Sequence, residues 1–235
     1  MIIASNLKAN LTRVKTAEYL SELEKFLSAK NISQEVLVFP ASSSLDAHAG
    51  RAIIGAQNAY PAQNGAFTGE IGVEHLDEFG IKTILIGHSE RRHVIGESQK
   101  LIAQKFDFYS KLGFKIVYCI GEPLEVRKSG NEKMMHYLDA QYEGIDANYE
   151  NLIIAYEPVW AIGTGLTPTL EEIESLHAEL KKKSHAPLLY GGSVKITNVK
   201  EVLALDNVDG ILVGSAALKV EDFCMMIESA QNLEN

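Results

Sequence analysis

The chain has 235 residues, of which 46% are apolar, and a formal net charge of −9. That composition supports a sizeable core and argues against a disordered or low-complexity chain. The acidic balance argues against nucleic acid as the main partner, because phosphate-backbone binding needs a basic face, but it leaves room for a small phosphorylated ligand.

Short apolar runs recur along the chain, separated by helix-like stretches. The first, Ile2 to Ser5, belongs to an N-terminus too short and too polar for a signal peptide. A helical stretch follows from Thr16 to Ala29, with Leu20, Leu23 and Leu27 on one face. Strands are expected at Val36 to Phe39, Ala52 to Ala56, Thr83 to Ile86 and Lys115 to Ile120. A helix over Ser98 to Leu112 carries Leu101, Ile102, Phe106 and Tyr109. Three more strands are expected at Leu152 to Tyr156, Pro187 to Leu189 and Gly210 to Val213. Leu170 to Lys183 reads as an amphipathic helix, N-capped by Thr169 ahead of Glu171 and Glu172. No apolar run reaches the roughly 18 residues of a membrane span. The two cysteines, Cys119 in a strand and Cys224 in a late helix, form no disulfide framework or Cys-x-x-Cys pair. A reducing, cytoplasmic setting is the simplest reading, with Cys119 a small core hydrophobe.

Strands that read as continuous apolar runs are buried on both faces, which implies parallel pairing with helical crossovers. Eight such units favour an α/β fold of the (β/α)8 barrel type, eight parallel strands with outer helices, over an open doubly wound sheet. An open sheet would show fewer strands at this length, and often a Gly-x-Gly-x-x-Gly after its first strand; none follows Ser5. No linker or composition shift divides the chain, so residues 1–235 are read as one barrel domain.

In such a barrel the residues just past the strand ends share one rim. Asn6 and Lys8 follow the first strand, Gly87-His88-Ser89-Glu90-Arg91-Arg92 the fourth and Glu157 the sixth. Tyr190-Gly191-Gly192-Ser193 follows the seventh and Gly214-Ser215 the eighth. After Glu157 comes Pro158-Val159-Trp160-Ala161-Ile162-Gly163-Thr164-Gly165, an apolar patch leading into a segment that can swing and can bring backbone N–H groups to an anion. A carboxylate beneath such a flap suits proton abstraction in a site kept free of water. Small residues at Gly163, Ser193, Gly214 and Ser215 would let backbone N–H groups hold a dianion. Taken singly, each residue has a plain reading: a solvated Lys or Glu, a helix-capping His, a Gly-Gly turn, Arg91 and Arg92 as ion-pair partners. Their shared position at strand ends, in order, weighs against those readings. No His-Glu-x-x-His or clustered Asp/His spacing appears, so no metal is expected; an organic cofactor is not expected either.

Asn6-Leu7-Lys8, Gly87 to Arg92, Cys119-Ile120-Gly121-Glu122, Tyr156 to Gly165 and Tyr190 to Val194 together resemble the signature segments of the triosephosphate isomerase family, in order and at roughly its spacing. The resemblance implies interconversion of dihydroxyacetone phosphate and D-glyceraldehyde 3-phosphate through an enediolate, a step of glycolysis and gluconeogenesis. It makes Glu157 the base, His88 the electrophile that hydrogen-bonds the substrate oxygens, and Lys8 the positive charge beside oxyanion and phosphate. Asn6 would hydrogen-bond in the same region, and Glu90 would hold Lys8 in place. The flap would run from Pro158 to Pro168, and Tyr190 would hydrogen-bond its closed form. The segment Asn58 to Gly72 would be an arm docking into a second subunit, with Thr68 approaching the partner's site and Glu70 pairing with Arg91 across the interface of a homodimer.

The chain departs from the family pattern at three places. Leu7 stands where Trp is usual, which affects packing more than chemistry. Ser215 replaces the second Gly of the strand-eight pair and would cost about 1 kcal/mol or more if its φ had to be positive. The flap ends in Leu166-Thr167-Pro168, where Pro168 fixes φ and restricts its neighbour, so altered opening rates are expected. Two rival readings remain at this stage. One is a barrel acting on a phosphorylated amino-sugar or indole precursor, and the other is a barrel kept for binding alone. The second would predict damage at Glu157, His88 or Lys8, all of which are intact.

Overall fold

The computed structural model describes residues 1–162 and 166–234. Its elements run β1 (Ile2–Asn6), α1 (Arg13–Ala29), β2 (Glu35–Phe39), β3 (Ile53–Ile54), α2 (Val73–Glu78), β4 (Thr83–Ile86), α3 (Ser89–His93), α4 (Gln99–Lys111) and β5 (Lys115–Ile120). They continue α5 (Leu124–Lys128), α6 (Asn131–Ala140), β6 (Leu152–Tyr156), α7 (Leu170–Lys181), β7 (Leu188–Tyr190), α8 (Val199–Leu203), β8 (Gly210–Val213) and α9 (Val220–Glu234). All the strand pairings are parallel, and the sheet order is β3-β2-β1-β8-β7-β6-β5-β4. A parallel bridge between Ala56 and Ile84 joins the two ends, with Ala56 N donating to Thr83 O at 2.9 Å and Leu85 N to Ala56 O at 2.8 Å. The sheet is thereby a barrel with the helices outside, as expected.

The pleat divides the apolar side chains between two cores. Ala4, Leu37, Phe39, Leu85, Val117, Ile153, Leu189 and Leu212 fill the barrel interior. Their neighbours along the strands, such as Ile3, Val36, Ile84, Ile116 and Ile154, pack outward beneath the helices. Burial on both faces is why these strands read as unbroken apolar runs rather than as alternating ones.

Several boundaries differ from expectation. The first helix begins at Arg13, three residues before Thr16, because Thr12 Oγ1 accepts the Lys15 N–H and caps it; the polar first turn carries no apolar period to announce it. β7 starts after Pro187, which has no N–H for the ladder but lends its carbonyl to Ile154 N at 2.9 Å. The third strand shrinks to Ile53–Ile54 plus the Ala56 bridge. The strand–helix alternation also fails once. Between β2 and β3 the chain makes only a short 3-10 turn at Ser42–Ser44. The extended stretch that follows is tied to α1 by two carboxylates: Asp46 accepts from Arg13 Nη2 at 2.6 Å, and Glu24 accepts Arg51 N and Ala52 N, each at 2.8 Å, and contacts His48 Nε2 at 2.9 Å.

Candidate active site

Gly87 turns the chain out of β4 in the left-handed region, with φ +78. A Cβ there would lie 2.7 Å from Arg92 Nη2 and 3.0 Å from Cys119 O, so only glycine fits. The turn makes His88 the N-cap of α3, its Nδ1 accepting the Glu90 N–H at 3.3 Å. The ring then presents Nε2 to Glu157 Oε1 at 3.0 Å, while Ser89 N donates to Glu157 Oε2, also at 3.0 Å. Both side chains are buried.

Burial pushes the Glu157 carboxyl up, but His88, the Ser89 N–H and Lys8 together bring it below the ordinary carboxylate value. Burial pushes His88 down, and the facing carboxylate more than offsets that while the two are in contact. The hydrogen-bond geometry opposes this upward direction. Protonating Nδ1 would set an N–H against the Glu90 N–H, so the arrangement assigns a neutral ring with its proton on Nε2.

Lys8 reaches the same place from β1. Its backbone is left-handed, with φ 52, and Asn6 Oδ1 accepts its N–H at 3.0 Å. A non-glycine residue held there stores about 1–2 kcal/mol of strain, a cost that marks functional positions. Its ammonium meets Glu90 Oε1 at 2.6 Å.

These side chains open onto a cavity of about 300 Å³, completed by Gly191–Ser193 from the loop after β7 and Gly214–Ala216 from the loop after β8. Asn6, Lys8, His88, Glu157, Ser193, Gly214 and Ser215 all line it, so residues from five strand ends meet at one mouth. Ser215 keeps a negative φ and begins a 3-10 turn at Ser215–Ala217. Replacing glycine there therefore carries no left-handed strain. Ser193 Oγ donates to Ala161 O at 2.5 Å, linking the β7 loop to the segment after Glu157. Lys195 also lines the cavity and was missed in the sequence. A basic residue two positions past Ser193, in a loop already read as anion-binding, was the available signal.

Glu90 lies beside Lys8 rather than in the cavity lining. Of the expected flap, Val159–Ala161 forms a 3-10 turn and Pro168 is buried, whereas Leu166 and Thr167 are exposed. Gly163, Thr164 and Gly165 lie outside the described residues. At the flap's start, Glu122 Oε1 accepts from both Tyr156 OH and Trp160 Nε1, each at 3.0 Å. Burial holds that carboxyl above its ordinary value despite those two bonds. Tyr190 OH is buried and has no partner among the described residues. Thr68 and Glu70 are exposed on the arm, whose base is closed by Tyr60 N to Ile71 O at 2.8 Å and Val73 N to Ala62 O at 3.0 Å. Arg91 is paired within the chain to Glu97, Nε to Oε2 at 3.2 Å. Cys119 is buried and Cys224 partly so, and both are free thiols.

Fold and site together define a (β/α)8 barrel whose rim joins a carboxylate, an imidazole and an ammonium around one cavity. The family model described as triosephosphate isomerase matches residues 1–230, and the chain belongs to that family. It is 72% identical over 234 residues to the triosephosphate isomerase of Sulfurimonas denitrificans, covering 100% of this chain and 98% of that protein. It is 57% identical over 227 residues to that of a Sulfurovum species, covering 97% of this chain and 99% of the relative. A third relative, the triosephosphate isomerase of Wolinella succinogenes, is 54% identical over 230 residues, again covering 97% and 99%.

Proposed function

We infer that this chain is an aldose–ketose isomerase that interconverts dihydroxyacetone phosphate and D-glyceraldehyde 3-phosphate, the reaction of its family in glycolysis and gluconeogenesis. The observation that carries the reading is the convergence of Glu157, His88 and Lys8 on one cavity small enough for a three-carbon phosphate ester.

In this reading Glu157 removes a proton from the carbon beside the carbonyl and returns it to the neighbouring carbon. The Nε2–H of His88 turns from Glu157 to the substrate oxygens and stabilises the enediolate. Lys8, steadied by Glu90, adds positive charge beside that oxyanion, and Asn6 supplies a hydrogen bond. Backbone N–H groups of Ser193, Gly214 and Ser215 take the phosphate, and Lys195 adds a cation at the cavity edge. An enediolate next to a phosphate-bearing carbon can expel the phosphate, so a cover drawn from Pro158–Ile162 and Leu166–Pro168 that excludes water protects the product. Tyr190 is a candidate anchor for that cover.

Two further parts belong to the reading. The arm from Asn58 to Gly72 joins two copies into a homodimer, with Thr68 near the partner's site, and the enzyme works in the cytoplasm. A coupled assay with both triose phosphates, run alongside sedimentation of the same sample, tests the reading. Turnover in both directions by a dimer is expected. Material inert toward both sugars would overturn the reaction, and an active monomer at micromolar concentration would overturn the dimer.

A further inference from the structure

β4 and β5 pair from Thr83–Lys115 to Ile86–Tyr118 and then part, because Gly87 turns β4 away to place His88. In a parallel sheet alternate residues turn their N–H and C=O groups to opposite neighbours. Past Tyr118, the β5 side still has a neighbour on its β6 edge: Glu157 N donates to Ile120 O at 2.7 Å and Val159 N to Glu122 O at 3.1 Å. On the β4 edge the carbonyl of Cys119 and both peptide groups of Gly121 lie past the last β4–β5 pair. Buried backbone groups left without partners lose their hydration with nothing in return.

Two side chains take the place of that strand. Arg92 Nη2 donates to Cys119 O at 3.2 Å, and Arg92 Nε to Gly87 O at 2.7 Å. Gln141, the C-cap residue of α6 and itself buried, clasps Gly121 with its side-chain amide. Gly121 N donates to Gln141 Oε1 at 3.0 Å, and Gln141 Nε2 donates to Gly121 O at 2.8 Å. Gln141 is pinned in turn, its own carbonyl accepting from Tyr118 OH and from Gln99 Nε2.

Gly121 is in direct contact with the backbone of the base. A Cβ on Gly121 would fall 1.7 Å from Glu157 O. We propose that Gln141 is a positioning residue for Glu157: its amide replaces the missing peptide group of β4, fixes Gly121, and so sets where the Glu157 carboxylate stands relative to His88. No motif around Glu157 or His88 points to Gln141, which arrives from a helix that the reaction does not otherwise use.

The turnover arm of the test rests on the isomerase reading, whereas the spectroscopic arm does not. Gln141→Met keeps the volume and removes both bonds to Gly121; Gln141→Asn is too short to make both and stands in if the first fails to fold. Tyr149→Phe is the comparison, since it removes one hydroxyl bond, 2.8 Å to Phe114 O, at the far end of β5. A displaced base costs about 10²-fold per ångström, so kcat is expected to fall about 10- to 100-fold in the Gln141 variants with KM changed by less than about twofold. The 15N shift of the His88 ring, which senses the Glu157 contact, is expected to move in the Gln141 variants and to stay in Tyr149→Phe. An unmoved His88 signal with unchanged kcat in a folded Gln141 variant would overturn the proposal. So would an equal loss of kcat in Tyr149→Phe. If the natural chain shows no turnover, the isomerase reading falls and the His88 signal alone decides the role of Gln141.

Discussion

Glu157 Oε1 and His88 Nε2 stand 3.0 Å apart, so the residue assigned as base is held by the residue assigned as electrophile. Each satisfies the other in a buried place, where an unpaired carboxylate would be expensive. In the isomerase reading, substrate separates them, taking the imidazole N–H onto its oxygens and freeing the carboxylate to meet carbon. The two groups match each other, and in that reading the match is what binding replaces.

Glu157→Gln keeps the shape and removes the base. A positioned base contributes about 10²–10⁴-fold, so kcat should fall by at least that much. The fold should persist with a modest loss of stability, because the amide oxygen can accept either the Ser89 N–H or the His88 Nε2–H while its NH2 faces the other donor. Thermal melts and the coupled assay on the same preparation check both halves. A variant with near-normal turnover would remove Glu157 from its role.

The pH profile follows from the same pair. With its folded pKa below the ordinary carboxylate value, Glu157 contributes stability above that value, and the contribution is lost as pH falls through the folded pKa. The Glu157 carboxylate thus stays ionised below the ordinary carboxylate value. The second ionisation of a phosphate monoester lies near ~6, so the acid limb of kcat/KM should sit near ~6 and belong to the substrate. A phosphonate analogue with a higher ionisation should shift that limb upward. A limb that ignored the analogue would place the titration on the protein.

How far the sequence could reveal the protein depended on the range of each interaction. Runs such as Lys115–Ile120 and Leu152–Tyr156 are legible because burial on both faces leaves continuous apolar stretches. The rim residues are legible because strand ends order them. The start of α1 was not, since Thr12 acts through one capping bond that leaves no apolar period. Nor was the missing helix after β2, because a short connection carries no pattern of its own. Ser215 raised a question of backbone sign that φ alone could answer, and its negative value answers it. Gln141 joins segments that only the folded barrel brings together, whereas the Lys8–Glu90 pair, 82 residues apart, follows from the family resemblance and not from any local pattern.

The field at the cavity suggests a role for Lys195. Lys8 is matched by Glu90, so Glu157 leaves the site with an excess negative charge in a chain of net charge −9. A phosphate dianion would approach against that field. Lys195 lines the cavity, is exposed, and forms no ion pair among the described residues, so it brings the site to neutrality. Lys195→Met should lower kcat/KM by about three- to tenfold at low salt, the size of one solvent-exposed charge contact. The deficit should shrink as ionic strength rises past ~0.1 M, where screening acts within about 10 Å. A salt-independent deficit would mean a packing effect instead.

Glu97 and Lys105 form an ion pair with both side chains only 2% exposed. Glu97 also takes Arg91 from the His88 loop, and Lys105 donates to Asn58 Oδ1 at 2.6 Å at the base of the arm. One buried pair thus ties the active-site loop to the segment read as the dimer arm. Removing Glu97 strands Lys105 with only the Asn58 side-chain oxygen, so Glu97→Leu should cost about 3–5 kcal/mol in denaturant melts. Replacing both, Glu97→Leu with Lys105→Met, should recover much of that loss, because the only charge then left without its partner is Arg91, which reaches solvent. The double variant still lacks the Asn58 contact, so its arm should be looser while its barrel is sound. Sedimentation is then the informative measurement: a stable double variant that dissociates more readily would tie the pair to assembly, and one that stays as tightly associated as the natural chain would confine it to the barrel.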